Sequence, residues 1–317
     1  MRRLLIALLF LPVAAAAQDQ PFEAAVSGQQ RVGCFIIPIV DSRIQWFTPD
    51  RIESSPTIGP IATGDHERVF AIIQQNPPSV RVVQFEPDGT RTPFFEGLPG
   101  AFASAIAVAP NGRVLVTYDN PVNVAVISAA GALEATYPLP GAFQFPVISI
   151  GSDNCTLYYQ KAGSVGRFDV CTGTALPDFV AGSFLDIEAL PNGQVLLSSG
   201  DQVFLYDAAG TLVREVAELS DYGFGNNVAA AQIAINPDGS VLYVTASAGC
   251  DEEPNLLLTI SFASGELLSN RPLAMNGPTS LVVGTLVNPA NVPAAGTAAL
   301  AFLAITLAFA AIWLLRR

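Results

Sequence analysis

Residues 100–140 read GAFASAIAVAPNGRVLVTYDNPVNVAVISAAGALEATYPLP and contain the pattern that decides the fold. Four apolar or alternating segments are separated by an Asn111-Gly112 turn, by a polar loop and by a second turn that ends at Gly131. Asn-Gly favours tight hairpins because both residues tolerate a positive φ. The stretch therefore predicts four short antiparallel strands, the size of one β-propeller blade.

The same unit recurs along the chain. Glycines that precede apolar segments recur every 41 residues, and a last one follows after 54: Gly59, Gly100, Gly141, Gly182, Gly223 and Gly277. A second series of glycine turns, such as those ending at Gly173 and Gly210, closes the third strand of each unit. The sequence thus predicts an all-β, six-bladed propeller over residues 31–287, with seven blades as the alternative.

The two ends of this region are expected to share one blade. Residues 31–57 supply three strands and lack a first one, whereas residues 278–284 supply a single strand with nothing after it. Joining them closes the ring and removes the free sheet edges. The blade-sized repeat resembles six-bladed propellers of the NHL and YVTN type, a resemblance of architecture only.

Charge and composition exclude several classes of function. Apart from the two pairs of terminal arginines there are eleven basic residues against 27 acidic ones, a net charge of −16, which disfavours nucleic-acid binding. The single lysine, Lys161, follows no phosphate-binding loop, and the single histidine cannot form a His-rich metal site. That histidine, His66, lies at a predicted turn and is interpreted as exposed rather than catalytic.

The N-terminus has the features of a secretory signal. Residues 1–17 combine Arg2 and Arg3 with a short apolar run and three alanines. This pattern predicts cleavage after Ala17 by a signal peptidase, followed by a linker over residues 18–30.

The C-terminus is predicted to cross a membrane. Residues 294–315 carry no charge, and 22 helical residues span about 30 Å of hydrocarbon. A linker over residues 288–293 precedes them, and Arg316 and Arg317 follow on the cytoplasmic side. The propeller is therefore expected on the periplasmic or extracellular side of a bacterial cell envelope.

This tail resembles the IPTL-CTERM and PEP-CTERM sorting signals of bacteria. Val292-Pro293 stands where their short motif is found, the apolar helix follows, and Arg316-Arg317 forms the terminal cluster. Ala294-Ala295 departs from the usual motif. The resemblance implies recognition and cleavage by an exosortase-type protease.

The four cysteines suit an oxidising compartment. A hairpin centred on Gly163 would place Cys155 opposite Cys171, so these two are predicted to form a disulfide. Cys34 and Cys250 lie in first and last repeats that become neighbours after ring closure, and they are a second candidate pair. Four free thiols are the alternative.

Ligands of propellers usually bind at the face where loops enter the innermost strands. There, Asp186, Asn226 and Asn227 offer oxygen ligands for calcium, with Glu188 two residues after Asp186. The alternative for the two asparagines is a simple turn. Asp251-Glu252-Glu253 is interpreted as a solvated loop. The repeated phenylalanines are expected to pack between blades: Phe102, Phe143, Phe184 and Phe224.

No nucleophile motif, metal-ligand spacing or cofactor loop is evident in the sequence. We therefore expect a binding or display module of the cell envelope, with an envelope protein or a glycan as its partner and no catalytic residues. The competing hypothesis is a calcium-dependent hydrolase or lactonase of propeller fold.

Overall fold

The computed structural model describes twelve segments of the chain: residues 24–30, 41–47, 51–55, 58–63, 68–74, 79–85, 91–99, 103–118, 121–224, 228–247, 255–273 and 277–283. These segments contain 24 β-strands and one 3-10 helix, Leu219–Tyr222. All strand pairs are antiparallel, and the strands form four-stranded sheets. The prediction of an all-β propeller with four-stranded blades is confirmed.

Five blades consist of consecutive strands, with the first strand of each innermost. Blade 1 contains β4 (Ile58–Ala62), β5 (Val69–Gln74), β6 (Ser79–Phe85) and β7 (Arg91–Pro99). Blade 2 contains β8 (Ala103–Val108), β9 (Val114–Tyr118), β10 (Asn123–Ile127) and β11 (Leu133–Pro138). Blade 3 contains β12 (Ile148–Ile150), β13 (Thr156–Lys161), β14 (Ser164–Asp169) and β15 (Thr174–Ala181). Blade 4 contains β16 (Asp186–Ala189), β17 (Val195–Ser199), β18 (Gln202–Tyr206) and β19 (Leu212–Glu218). Blade 5 contains β20 (Ala229–Ile235), β21 (Val241–Ser247), β22 (Leu256–Ser261) and β23 (Leu267–Pro272).

The remaining sheet mixes the two ends of the described chain. It has the order β24-β1-β2-β3, with β1 at Ala24–Gln30, β2 at Asp41–Phe47, β3 at Arg51–Ser55 and β24 at Gly277–Val283. Ala24 pairs with Val283, so the first and last described residues lie side by side. The sequence predicts six blades, one of them shared by the two ends of the region. The structure has five blades of consecutive strands and, beside them, this one mixed sheet.

One boundary of the sequence prediction is wrong. Residues 24–30, assigned to a linker, form strand β1 and pair with both β2 and β24. The segment carries Gly28 and three polar residues, which weaken the apolar alternation by which strands are recognised. Backbone hydrogen bonds to β2 and β24 hold the segment in the sheet, although its side chains show no strand pattern.

The turn chemistry explains why the repeat is so regular. In blade 2 the Asn111 side chain accepts a hydrogen bond from the backbone N–H of Arg113, and Gly112 has a φ of 82°. The second turn ends at Gly131, where a Cβ atom would collide with the carbonyl oxygen of Phe94 in blade 1. Glycine at this position therefore closes a hairpin and also permits close packing of adjacent blades.

The hydrophobic core lies between successive blades rather than at one centre. One cluster joins blades 4 and 5, and it includes Leu196 and Val244. Similar clusters join blades 1 and 2, blades 2 and 3, and blades 3 and 4. Leu281 of β24 packs against blade 5. The inner strands β4, β8, β12, β16, β20 and β24 contact one another in this order, and β24 contacts β4.

Several predicted features lie outside the described residues. These are the signal peptide with Ala17, the sorting motif at Val292 and Pro293, the apolar segment 294–315, Arg316 and Arg317, the pair Cys34 and Cys250, His66, and residues 251–253. Among the described residues, no helix has the length and apolar character needed to span a membrane.

Candidate ligand site in the axial cavity

The inner strands surround a cavity of about 730 Å³ on the propeller axis. Residues of β4, β8, β12, β16 and β20 line it, and Leu281 of β24 lies on the remaining side. Small-molecule sites usually enclose about 300–1,000 Å³ and combine apolar walls with a few polar groups. The axial cavity has this size and this composition.

Two carboxyl groups of one inner strand reach the cavity. Asp186 and Glu188 are two residues apart on β16, so both side chains project from the same face of the strand. Asp186 is 8% exposed, and its Oδ2 atom accepts a hydrogen bond of 2.7 Å from the backbone N–H of Ile233 in blade 5. The aspartate therefore also connects two neighbouring blades.

Both carboxyl groups are electrostatically unfavourable as anions. Burial raises the pKa of Asp186 to about 7, although backbone N–H groups of Ile233 and Ile187 favour its charged form. Burial, and then the charge of Asp186, raise the pKa of Glu188 to about 8. Among the described residues, no lysine, arginine or histidine lines the cavity. Protonation or a bound cation is what can compensate this pair of charges.

Further oxygen atoms line the same cavity from other blades. The Ser149 hydroxyl of blade 3 accepts a hydrogen bond of 3.0 Å from the backbone N–H of Ala189. Gln232 of blade 5 and Thr63, which follows β4, are also lining residues, and the Thr63 hydroxyl is buried without a hydrogen-bond partner. Carboxylate, hydroxyl and amide oxygens are the ligands that hard cations prefer.

Of the three predicted calcium ligands, only Asp186 lies within the described residues. The structure places Asp186 at the cavity, whereas Asn226 and Asn227 lie outside the described residues. Glu188 completes the carboxyl pair, although the ligand set predicted from the sequence does not include it. The signal that could have identified it is the D-x-E spacing on an inner strand, because alternate residues of a strand share a face.

The phenylalanines of the repeat differ in burial. Phe184 is 5% exposed and Phe224 packs against the core between blades 4 and 5, as expected. For Phe143 the prediction is wrong, because this side chain is 51% exposed. Ala142 bridges to Lys161 and packs inward, so the next residue in the extended segment points outward. Phe102 lies outside the described residues.

The predicted disulfide between Cys155 and Cys171 is present, with a Cα–Cα distance of 5.2 Å. The hairpin register behind that prediction is one residue off. Lys161 pairs with Ser164 around a two-residue turn in which Gly163 has a φ of 79°. Cys155 therefore accepts the backbone hydrogen bond of Val170, and Cys171 follows in the next turn.

Comparisons with known proteins support the fold alone. No family model matches the chain, and no curated protein matches it. A solved structure of a protein of unknown function from Bacteroides caccae is similar, with a TM-score of 0.62, 13% identity, and coverage of 82% of this chain and 98% of that one. Hydrazine synthase of Kuenenia stuttgartiensis matches with a TM-score of 0.51 and 17% identity over 70% of this chain and 68% of its own. Both likenesses concern the propeller architecture and indicate no shared activity.

Proposed function

We propose that this protein is an exported propeller that binds a small, positively charged ligand in its axial cavity. The observation that carries the proposal is the pair Asp186 and Glu188, whose carboxyl groups face a cavity of about 730 Å³ that no described basic side chain lines. Burying an uncompensated carboxylate is costly, and a bound cation removes that cost. A ligand with an ammonium group or a metal ion has the required charge.

The proposed location is the bacterial cell envelope. It rests on the sequence, which predicts a signal peptide at residues 1–17 and a membrane-spanning segment at residues 294–315. The disulfide between Cys155 and Cys171 supports export, because such bonds persist in oxidising compartments. An exosortase-type protease remains the proposed processing enzyme for the tail.

We further propose that β24 and β1 close a six-bladed ring. The pairing of Ala24 with Val283 supports this closure, and so does the contact of β24 with both β20 and β4. In such a ring both terminal segments leave the propeller at the same edge, where a membrane tether would hold it.

A calcium-dependent hydrolase of propeller fold is the second candidate. It is favoured by the combination of two carboxyl groups with the hydroxyl groups of Ser149 and Thr63 on one cavity, since calcium prefers six to eight oxygen ligands. In this case the bound ion would polarise the carbonyl group of a lactone or ester. The two candidates share a site and differ in the ligand.

Thermal unfolding at pH 8 with added calcium chloride or added putrescine tests both proposals. Saturation at about 100 times Kd adds about 2.7 kcal/mol of stability, which for a domain of this size is a rise in Tm of about 5–10 °C. The double variant D186N/E188Q should show no rise. E266Q, which neutralises an exposed carboxyl group away from the cavity, should respond like the wild type.

The pattern of responses separates the candidates. A rise with putrescine supports an organic cation as ligand. A rise with calcium alone, together with hydrolysis of a simple aryl lactone, supports the hydrolase. The absence of a rise with either cation, or an equal rise in D186N/E188Q, contradicts both.

A further inference from the structure

Three large apolar side chains are exposed at one face of the propeller. Phe143 is 51% exposed, Phe145 is 61% exposed and Leu185 is 41% exposed. They lie on the loops that lead into the inner strands of blades 3 and 4, so they belong to the same face and to adjacent blades. We call this set the apolar patch. Clustered apolar side chains on a surface mark interaction sites more often than isolated ones do.

Hydrogen bonds hold the two loops of the patch together. The backbone N–H of Phe143 donates to the carbonyl oxygen of Gln160 at 3.0 Å. The side-chain amide of Gln160 then donates to the carbonyl oxygen of Phe184 at 2.7 Å. One residue of blade 3 therefore fixes both loops, and the apolar patch is ordered before any partner binds, which lowers the entropic cost of association.

Acidic side chains lie on the same face as the patch, at the end of blade 4 where β16 begins and in the segment that follows β19. The Ser199 hydroxyl donates to the carbonyl oxygen of Ser183, two residues before Leu185, at 2.9 Å. Two residues after Ser199 comes Asp201, whose carbonyl oxygen accepts the N–H of Leu219 at 2.8 Å. This hydrogen-bonded path leads from the patch to the segment 218–221.

The carboxyl groups of Asp201, Glu218 and Asp221 all lie near that of Glu215. Burial raises the pKa of Glu215, and the negative charges of Glu218, Asp221 and Asp201 raise it further. We call Asp201, Glu218 and Asp221 the acidic cluster. Near the patch, the positive charge of Lys161 is already paired with Asp178 at 2.7 Å. The face therefore combines apolar and negative character.

We propose that this face docks a partner protein through a segment that carries apolar side chains next to basic ones. Charge complementarity selects this occupant. A second copy of the chain would bring the same acidic cluster, and an anionic lipid surface would be repelled. The predicted C-terminal segment leaves after Val283, at the far end of an inner strand that begins at this face. The proposal uses no residue of the axial cavity and goes beyond the ligand proposed for it.

Two synthetic amphipathic peptides of equal length test the proposal, one alternating Leu with Lys and the other alternating Leu with Glu. Their binding to the full chain in detergent is measured by fluorescence anisotropy at about 150 mM salt, where only close charges interact strongly. The Leu-Lys peptide should bind, and the Leu-Glu peptide should bind at least tenfold more weakly. Equal binding of the two peptides overturns the proposal, and so does the absence of binding by the Leu-Lys peptide.

Matched variants locate the binding surface. The two face variants should each weaken binding of the Leu-Lys peptide at least tenfold: F143S/F145S/L185S and D201N/E218Q/D221N. The two control variants change exposed residues of the outer strands, together with Glu266 just before the last of them, and should bind within twofold of the wild type: L133S/L212S/L268S and E96Q/E134Q/E266Q. Thermal unfolding checks that each variant is folded. An equal loss of binding in a control and its matched face variant overturns the proposal.

The cavity variant D186N/E188Q separates this proposal from the proposed function. It should lose the response to small cations and keep its affinity for the Leu-Lys peptide. If the wild type responds to small cations but does not bind the Leu-Lys peptide, the docking proposal is wrong and the cavity proposal stands. Loss of peptide affinity in D186N/E188Q itself would place peptide binding at the cavity and refute the docking face.

Discussion

Replacing the two cavity carboxyl groups, in the variant D186N/E188Q, should stabilise the protein at alkaline pH. The pKa of Asp186 is raised from 3.8 to about 7, so the native state binds this proton more tightly than the unfolded state does. The resulting stabilisation is fully present below about pH 4 and is lost as the pH rises through about 7. Glu188, with a pKa raised to about 8, acts in the same direction.

The size of the effect follows from the Asp186 shift. A difference of about three pKa units corresponds to about 4 kcal/mol at about 1.4 kcal/mol per unit. This is an upper figure for the contribution of Asp186 to the advantage of the variant at pH 9, where the wild type has to bury the Asp186 carboxylate. In a domain of this size it corresponds to a rise in Tm of about 8–16 °C. The asparagine side chain introduced by D186N retains an oxygen atom that can accept the hydrogen bond of Ile233.

The assay is thermal unfolding of wild type and variant from pH 4 to pH 9, with chelator present. The two melting temperatures should lie closest at about pH 4 and separate progressively between about pH 4 and pH 8, with the variant higher. In that range the unfolded state ionises the two groups while the native state keeps them protonated, so the separation should level off above about pH 8. E266Q serves as the control and should follow the wild type throughout. A wild type that gains stability relative to the variant as the pH rises would refute the reasoning, because it would mean that the buried carboxylates are stabilised by groups of the protein itself.

Three other predictions concern the framework. The change C155A/C171A, or reduction of the disulfide, should destabilise the protein by about 3 kcal/mol, because the disulfide closes a loop with a sequence separation of 16. Denaturant unfolding measures the loss of stability, and reductant should not change the stability of the double variant. Gly131→Ala should cost more than about 2 kcal/mol because its Cβ would meet the Phe94 carbonyl oxygen, whereas Gly239→Ala, with open space around it, should cost about 1 kcal/mol by chemical denaturation. The mature protein should begin at Gln18, and a retained N-terminus in mass spectrometry would contradict the signal peptide.

The sequence contained enough information for the blade but not for every boundary. Asn-Gly and Asp-Gly turns constrain the backbone locally, so the hairpins of blade 2 and blade 5 could be located from single residues such as Gly112 and Gly239. Strand β1 could not be located, because its pairing with β24 is a contact between opposite ends of the chain. Such long-range pairing leaves little periodic signal in a segment as polar as residues 24–30.

The axial cavity and the loop that carries Phe143 show a similar limit for predicting functional residues from the sequence. Asp186 could be proposed as a ligand because it follows a loop that enters an innermost strand, but its contact with Ile233 depends on the packing of blade 4 against blade 5. The repeat predicts Phe143 in the core because it occupies the same position as Phe184. The loop that follows Gly141 has three more residues before its inner strand than the loop that follows Gly182, and this difference turns Phe143 outward.

The topology bears on how a membrane tether would orient the proposed docking face. Inner strands begin at the face that carries the apolar patch, and β24 ends at the opposite face, where Val283 pairs with Ala24. A tether that starts after Val283 would hold that opposite face toward the membrane. Ten residues lie between Val283 and position 294, and an extended chain that joins these two positions reaches at most about 40 Å. The apolar patch and the acidic cluster would then point away from the bilayer, which is the orientation that a docking face for another envelope protein requires.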